Sequence, residues 1–353
     1  MRVLHLTDRL TDRGGAHHHL LGVLEALAEQ GHEVVLAVGS ADESLRAPCP
    51  VHIIPGLEAR TRASVALDGL VAELAPDLIH IHTVMNPEAL EWAVGRSALV
   101  TVQDHRGFCP TRGKWTLAGT PCLEPMAPST CAACFDDEAY FQDVYALTAE
   151  RLAALRRLRL VVLSDYMKKE LVAAGVDPEG ITVVPPFVHG LDPRAEPDGP
   201  ACVLFVGRLT EAKGVRDAVN AWRLSGLDLP LVVAGTGRLR TELESSGIEV
   251  LGWLGRPRLS ALYRRARALL MPSRWQEPFG IAGLEALSMG VPVVAWQSGG
   301  IGEWHPGPLV AWGDVPALAA SLRDAVGRRP TAPEGFDRER LMRRLVEVYE
   351  ALV

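Results

Sequence analysis

The stretch 273-SRWQEPFGIAGLEALSMGVPVVA-295 carries the strongest signal in this 353-residue chain. The apolar run Ala268–Met271 precedes it and a second, Val293–Ala295, closes it. Between them the chain reads as a loop and then a helix opening at Gly280. Strand, loop, helix and strand form the repeating unit of a parallel sheet covered by helices. Glu277 and Glu285 stand with seven residues between them. Eight helical residues rise about 12 Å and rotate through two turns plus about 80°, so two carboxylates at that spacing can look into one cleft from different depths. The more ordinary reading makes Glu277 a charge favoured at a helix N-terminus and Glu285 a solvated helix residue.

Upstream, 205-FVGRLTEAKG-214 places Arg208 and Lys213 just after the first strand of the same half. Two cations there can offset the charge of a departing diphosphate without a divalent ion. Gly235 follows a further strand, Leu231–Ala234, and Gly299-Gly300 follow Val293–Ala295. These loops all lie at the carboxyl ends of strands, where open α/β sheets bind ligands. A nucleotide sugar has hydroxyls at both ends of a diphosphate. It suits the two glutamates, with the N–H groups of Phe279, Gly280 and Ile281 turned to the phosphates.

The first half repeats the pattern, with strands expected at Val3–Leu6, Val34–Val38, Leu78–Ile81, Leu99–Val102, Leu160–Leu163 and Ile181–Val184. The first strand leads through a loop ending in Gly14-Gly15 to a helix reaching Gln30. Glycines there let backbone N–H groups approach an anion, and the helix N-terminus favours its charge. The loop lacks the G-x-G-x-x-G spacing of a dinucleotide site. His17, His18 and His19 open that helix; neighbours on a helix point about 100° apart, so the three cannot converge on one ion. The proline-rich stretch 185-PPFVHGLDPRAEPDGP-200 suits neither helix nor strand and reads as an interdomain linker. Beyond it, Asp314 is placed to cap a helix with Pro316 in its first turn, and a last helix spans roughly residues 338–352.

Length alone favours two domains with a cleft between them. A net charge of −7 at pH 7 argues against nucleic acid as a partner, since phosphate backbones are held by surplus Lys and Arg. No signal peptide and no membrane-spanning apolar run is evident, which predicts a cytoplasmic protein.

Taken together, "GHEVVLAVG", "VGRLTEAKG", "VAGTG" and "EPFGIAGLEALSMGVPVVA" resemble the retaining glycosyltransferases of GT-B fold in the group 1, family four class, over nearly the whole chain. The resemblance implies an α/β fold of two Rossmann-like domains whose parallel sheets face each other across a cleft. Residues 1–187 would be the acceptor domain, 200–335 the donor domain, and 336–353 a helix crossing back to the first domain. It implies a nucleotide-sugar donor, UDP-linked before GDP-linked, and a hydroxyl acceptor that is a glycan, a lipid-linked molecule or a small molecule. By position, Arg208 and Lys213 would contact the diphosphate, Glu285 the ribose, and Glu277 the donor sugar. Gly14, Gly15 and His19 would lie beside the phosphates. Where the class carries a His-Asp pair this chain reads Gln103-Asp104-His105, so either Gln103 or a shifted His105 would serve the donor sugar. The class "PNG" near the linker is replaced by Pro185-Pro186-Phe187. The resemblance requires no cofactor for catalysis. An epimerase acting on nucleotide sugars and a non-catalytic binding protein of the same fold are the rival readings.

Cys109, Cys122, Cys131 and Cys134 fall within 26 residues, in a loop expected at 105–137. In a reducing compartment such clustering suggests metal before disulfides: a structural four-thiolate zinc, with an iron–sulfur cluster or uncoordinated thiols as the alternatives. The basic segment 149-AERLAALRRLRL-160 reads as a solvated helix face or as peripheral contact with the inner membrane face. Trp253, in "LGWLG", is the tryptophan expected nearest a nucleotide base.

Overall fold

The computed structural model describes every residue except 12–13, 43–44, 46, 59–61, 85 and 112. It forms two compact units: Met1–Leu117 with Leu123–Phe187 and Asp337–Val353, and Ala118–Cys122 with Val188–Phe336. The junction at Phe187 and Val188 falls within the proline-rich stretch, none of which is helix or strand.

In the first unit the order is β1 (Arg2–Leu10), α1 (Gly15–Glu29), β2 (Glu33–Ala41), β3 (Val51–Ile53), α2 (Ser64–Leu74), β4 (Leu78–Ile81) and α3 (Pro87–Ala93). It continues with β5 (Ala98–Val102), α4 (Pro128–Ala132), α5 (Glu138–Leu155), β6 (Arg159–Val162), α6 (Asp165–Ala173) and β7 (Ile181–Val183). The seven strands are all parallel, in the order β3-β2-β1-β4-β5-β6-β7. β4 and β5 are buried along their whole length, as strands covered on both faces must be.

The second unit runs β8 (Cys202–Val206), α7 (Val215–Ser225), β9 (Leu231–Ala234), α8 (Arg240–Ser245), β10 (Glu249–Gly252), α9 (Arg256–Arg265), β11 (Ala266–Met271), α10 (Ile281–Ser288), β12 (Val293–Ala295) and α11 (Val315–Ala325). Its parallel order is β10-β9-β8-β11-β12. The last helix, α12 (Arg338–Glu350), belongs to the first unit. There it buries Leu341, Leu345 and Tyr349, spaced four apart along one stripe.

Capping follows the sequence. Asp314 accepts a hydrogen bond from Ala317 N (2.8 Å) and Asp337 one from Arg340 N (2.9 Å), each satisfying a donor that the helix cannot. β3 and β10, which the sequence pattern does not announce, each lie at one edge of a sheet, β3 mostly exposed and β10 partly buried. In both sheets the strand order reverses beside the first strand, between β1 and β4 and between β8 and β11. Ligands of open α/β sheets bind outside the carboxyl ends of strands at such a reversal.

Candidate active site

In the second unit the loops after β8 and β11 flank the reversal and are locked together. Arg274 N and Trp275 N both donate to Ala212 O, at 2.9 and 3.0 Å. Gly214 has φ +67°, and a Cβ there would sit 1.7 Å from Pro272 O, so no other residue permits this approach. The Lys213 ammonium donates to Glu277 Oε1 at 2.7 Å and lies 4.3 Å from the centre of the Trp275 ring. Arg208 stands over the same ring at 5.3 Å, exposed and with no carboxylate partner among the described residues. The Ser273 hydroxyl also donates to Glu277.

Glu277 is 3% exposed. Burial alone would raise its carboxyl, but the Lys213 charge and hydrogen bonds from Lys213, Ser273 and Trp275 outweigh it and hold the group below the ordinary glutamate range. Burial pushes the Lys213 ammonium below the usual lysine value, with Glu277 opposing the shift. Glu277 precedes α10, which begins at Ile281, so a helical rise does not set its offset from Glu285. Glu285 is buried rather than solvated. It accepts from Arg256 Nη1 at 2.7 Å and from the Tyr263 hydroxyl at 3.2 Å, and Arg256 also donates to His189 O.

The glycines of neighbouring loops serve close packing. A Cβ on Gly235 would lie 1.8 Å from Gly207 O, and Gly235 N donates to Gly252 O at 2.8 Å. Gly280, at φ +89°, caps α10 with no side chain over its first N–H groups. Phe279 is core: its ring is buried, edge-on to Phe336 at 5.6 Å, and its carbonyl accepts from the Trp304 indole. Ile281 is half-buried at the start of α10, and Trp253 is half-buried just after the edge strand β10.

In the first unit, Gly14 adopts φ +107° with open space around it and heads α1 without a side-chain cap, and Gly15 is the first helical residue. His19 is buried, its ring edge-on to Phe187 at 5.7 Å. Beyond β5 the three polar residues separate. Asp104 accepts from Arg106 N (2.9 Å) and Arg106 Nε (2.8 Å). His105 is buried, with Nε2 sharing a hydrogen bond with the Tyr166 hydroxyl (3.0 Å) and its ring edge-on to Phe108. Gln103 is buried with neither amide atom hydrogen-bonded.

The model for group 1 glycosyl transferases matches residues 200–327, and that for glycosyltransferase family 4 matches residues 13–189. The chain belongs to the group 1, family 4 glycosyltransferases. Glycogen synthase of Mycobacterium tuberculosis is 36% identical over 143 residues, covering 36% of this chain and 34% of that one. The 2-deoxystreptamine N-acetyl-D-glucosaminyltransferase of Streptomyces fradiae is 30% identical over 283 residues, covering 71% of this chain and 63% of that one. The chain thus spans between about a third and under two thirds of the length of these curated relatives. Anabaena Alr3699/HepE, crystallised with UDP and glucose, superposes with a TM-score of 0.71 at 16% identity, over 99% of this chain and all of that one. The fold is accordingly α/β and of the GT-B type.

No disulfide links the six cysteines of the chain. Among the described residues the metal-ligating side chains within mutual reach are His5, His80 and His82. The loop that carries Cys109, Cys122, Cys131 and Cys134 is held by neighbouring side chains. Lys114 is buried, pairs with Glu170 at 3.0 Å and donates to Glu124 O, Trp115 is buried, and Phe135 packs on Tyr140 and Phe141. In the basic segment, Arg156 donates to Ala174 O, Arg157 pairs with Glu91 at 2.7 Å and Arg159 donates to Glu179 O. No helix of the described residues is long and apolar enough to cross a membrane. Arg256, the first residue of α9, and Ser273 are partners of Glu285 and Glu277 that the sequence reading did not name.

Proposed function

We propose that this glycosyltransferase moves a hexosyl or N-acetylhexosaminyl group, with retention of configuration, from a nucleoside-diphosphate sugar to a hydroxyl acceptor. UDP-sugars are the favoured donors and GDP-sugars the next. The acceptor belongs to polysaccharide, glycolipid or small-glycoside biosynthesis. The observation that carries this reading is the buried Lys213–Glu277 pair, with Arg208 on the same Trp275 ring at the sheet reversal. Crystallisation of the fold neighbour Alr3699/HepE with UDP-glucose supports the donor class.

In this reading the bond from the anomeric carbon to the diphosphate oxygen breaks, and the diphosphate leaves with the electron pair. Arg208, Lys213 and the uncapped start of α10 stabilise the charge that develops on it. The acceptor oxygen attacks the face the diphosphate leaves, through an oxocarbenium-like state, and its proton passes to a leaving phosphate oxygen. A covalent intermediate on the Gln103–His105 loop is disfavoured because its carboxylate, Asp104, is engaged by Arg106. Glu285 binds the ribose hydroxyls. Gln103, whose amide has both a donor and an acceptor to offer, takes a sugar hydroxyl in place of the class histidine. Location in the cytoplasm, with peripheral contact through residues 149–160 where the acceptor is lipid-linked, belongs to the same proposal; cosedimentation with anionic liposomes tests the contact.

A thermal-shift panel of UDP, GDP, ADP, dTDP and NAD, run on the wild type and on Glu285→Ala, tests the reading. Stabilisation by one nucleoside diphosphate, lost in the variant, is the expected result. Stabilisation by NAD alone, or by none of them, overturns it.

A further inference from the structure

Three imidazoles meet inside the first unit, beside His19. His5 of β1 is in register with His80 of β4, and His82 follows two residues later, so all three leave the same face of the sheet. The opposite face carries Leu4, Leu6, Ile79 and Ile81, which join the apolar core. The histidines therefore occupy positions where the alternation calls for further aliphatic side chains.

Their exposures are 0, 1 and 1%. One ring nitrogen from each lies within 4.8 Å of the other two. His5 Nδ1 and His82 Nε2 are 3.0 Å apart. For comparison, metal–nitrogen bonds of 2.0–2.1 Å in a tetrahedral site set two ligand nitrogens roughly 3.3 Å apart. His80 is oriented from outside the trio: its Nδ1 meets the Tyr349 hydroxyl and its Nε2 the Thr101 hydroxyl, both at 2.6 Å. In a ligating His80 one of these hydroxyls would hold the far nitrogen and fix the tautomer, and the other would yield its nitrogen to the ion.

Packing alone does not account for the group. Among the described residues His5 Nε2 and His82 Nδ1 are buried without a hydrogen-bond partner, and in native proteins such atoms call for a water, an ion or a functional explanation. Beside the trio lies a cavity of about 10 Å³, bordered by His19, His80, His82 and Thr101. That is room for about one water.

We infer that His5, His80 and His82 form a three-imidazole site for a borderline divalent cation of the zinc type, with a solvent molecule in the adjoining cavity as its fourth ligand. Nitrogen donors select such ions over calcium or magnesium, which prefer oxygen. The ion would tie β1 to β4, and through the His80–Tyr349 bond to α12, inside one unit. The inference is independent of the proposed transfer activity.

The test uses untagged full-length protein, stripped with a chelator, dialysed and titrated with Co²⁺. The expected result is one tightly held ion per chain, with the visible bands of tetrahedral cobalt and none of the near-ultraviolet absorption of a thiolate ligand. Those bands should disappear in His82→Ala and persist in His18→Ala, which removes a histidine of the run 17–19, and in Cys131→Ser/Cys134→Ser. Because an alanine in the core can unfold the unit, X-ray absorption on the loaded wild type gives a second readout, with imidazole nitrogen and no sulfur in the first shell. A wild type that retains no ion overturns the inference, as does sulfur in the first shell. Unchanged binding by a folded His82→Ala variant would do the same.

Discussion

Replacing Lys213 with methionine removes the cation from a carboxylate that is 3% exposed and leaves Glu277 with Ser273 and Trp275 as its remaining hydrogen-bond donors. Breaking a buried ion pair from one side costs about 3–5 kcal/mol, because the surviving charge stays buried without its partner. Lys213 is itself 19% exposed and the two donors persist, so the expected loss at pH 7 is at the lower end, about 3 kcal/mol. The pH dependence is specific. In the wild type Glu277 has a folded pKa below its unfolded value, so its contribution is present above about pH 4.3 and is lost as pH falls through the folded value. In the variant the burial effect is left to dominate and the carboxyl rises above the unfolded value. Glu277 then takes up a proton on mild acidification, and the gap between variant and wild type narrows as pH falls from 7 towards 5. Urea unfolding of the full chain at several pH values measures this, with Lys213→Met/Glu277→Gln as the partner variant, expected to recover most of the loss. A loss under about 1 kcal/mol, typical of an exposed pair, or a gap that does not change with pH, would refute the reasoning.

Gly214→Ala should destabilise by more than about 2 kcal/mol through the clash with Pro272 O, whereas Gly226→Ala, also left-handed but with open space around it, should cost about 1 kcal/mol; thermal unfolding compares them. Gln103→Ala should lower turnover at least tenfold while Gln103→His keeps most of it, measured by release of nucleoside diphosphate; equal loss in both would remove Gln103 from the proposed donor contacts. Asp337→Ala should destabilise α12 by about 1 kcal/mol, read as earlier hydrogen exchange at its first turn.

The parallel sheets were legible because their central strands are short continuous apolar runs, and the cap at Asp314 because a single side chain decides it. β3 and β10 were not: β3 is three residues long with two of them exposed, and β10 is broken by polar and glycine positions, so neither shows a buried apolar run. Lys213 and Glu277 could be picked out from loop position, but their pairing depends on Gly214 bringing the loop after β8 against Pro272. Glu285 could be named but its environment could not, because Arg256 and Tyr263 reach it from α9, an element 20 or more residues earlier. Spacing in sequence describes a ligand set only if the chain between folds back on itself, and the spacing of the four cysteines did not reveal that Lys114 and Phe135 with its aromatic neighbours order their loop. The histidine trio left a trace in 80-HIH-82, the period of a strand, but its third member is supplied by pairing with β1.

The two cations of the proposed site are treated differently, and their chemistry explains why. A guanidinium keeps its proton in any protein environment, so Arg208 can stand exposed over Trp275 with no carboxylate to hold it charged. An ammonium buried alone would tend to lose its proton, and burial does depress Lys213. Glu277 opposes that loss, and Lys213 in turn keeps Glu277 ionised against the effect of its own burial. Each member of the pair therefore preserves the charge of the other in a place where water would otherwise be needed. In the proposed reaction an arriving diphosphate would meet an ammonium that is already charged, largely desolvated and fixed in position by the Glu277 carboxylate and the face of Trp275. Preorganisation of that kind lowers the reorganisation required as charge develops on a leaving group. Glu277 in this arrangement acts first through Lys213, so a glutamine there should impair the lysine before it impairs any contact with sugar.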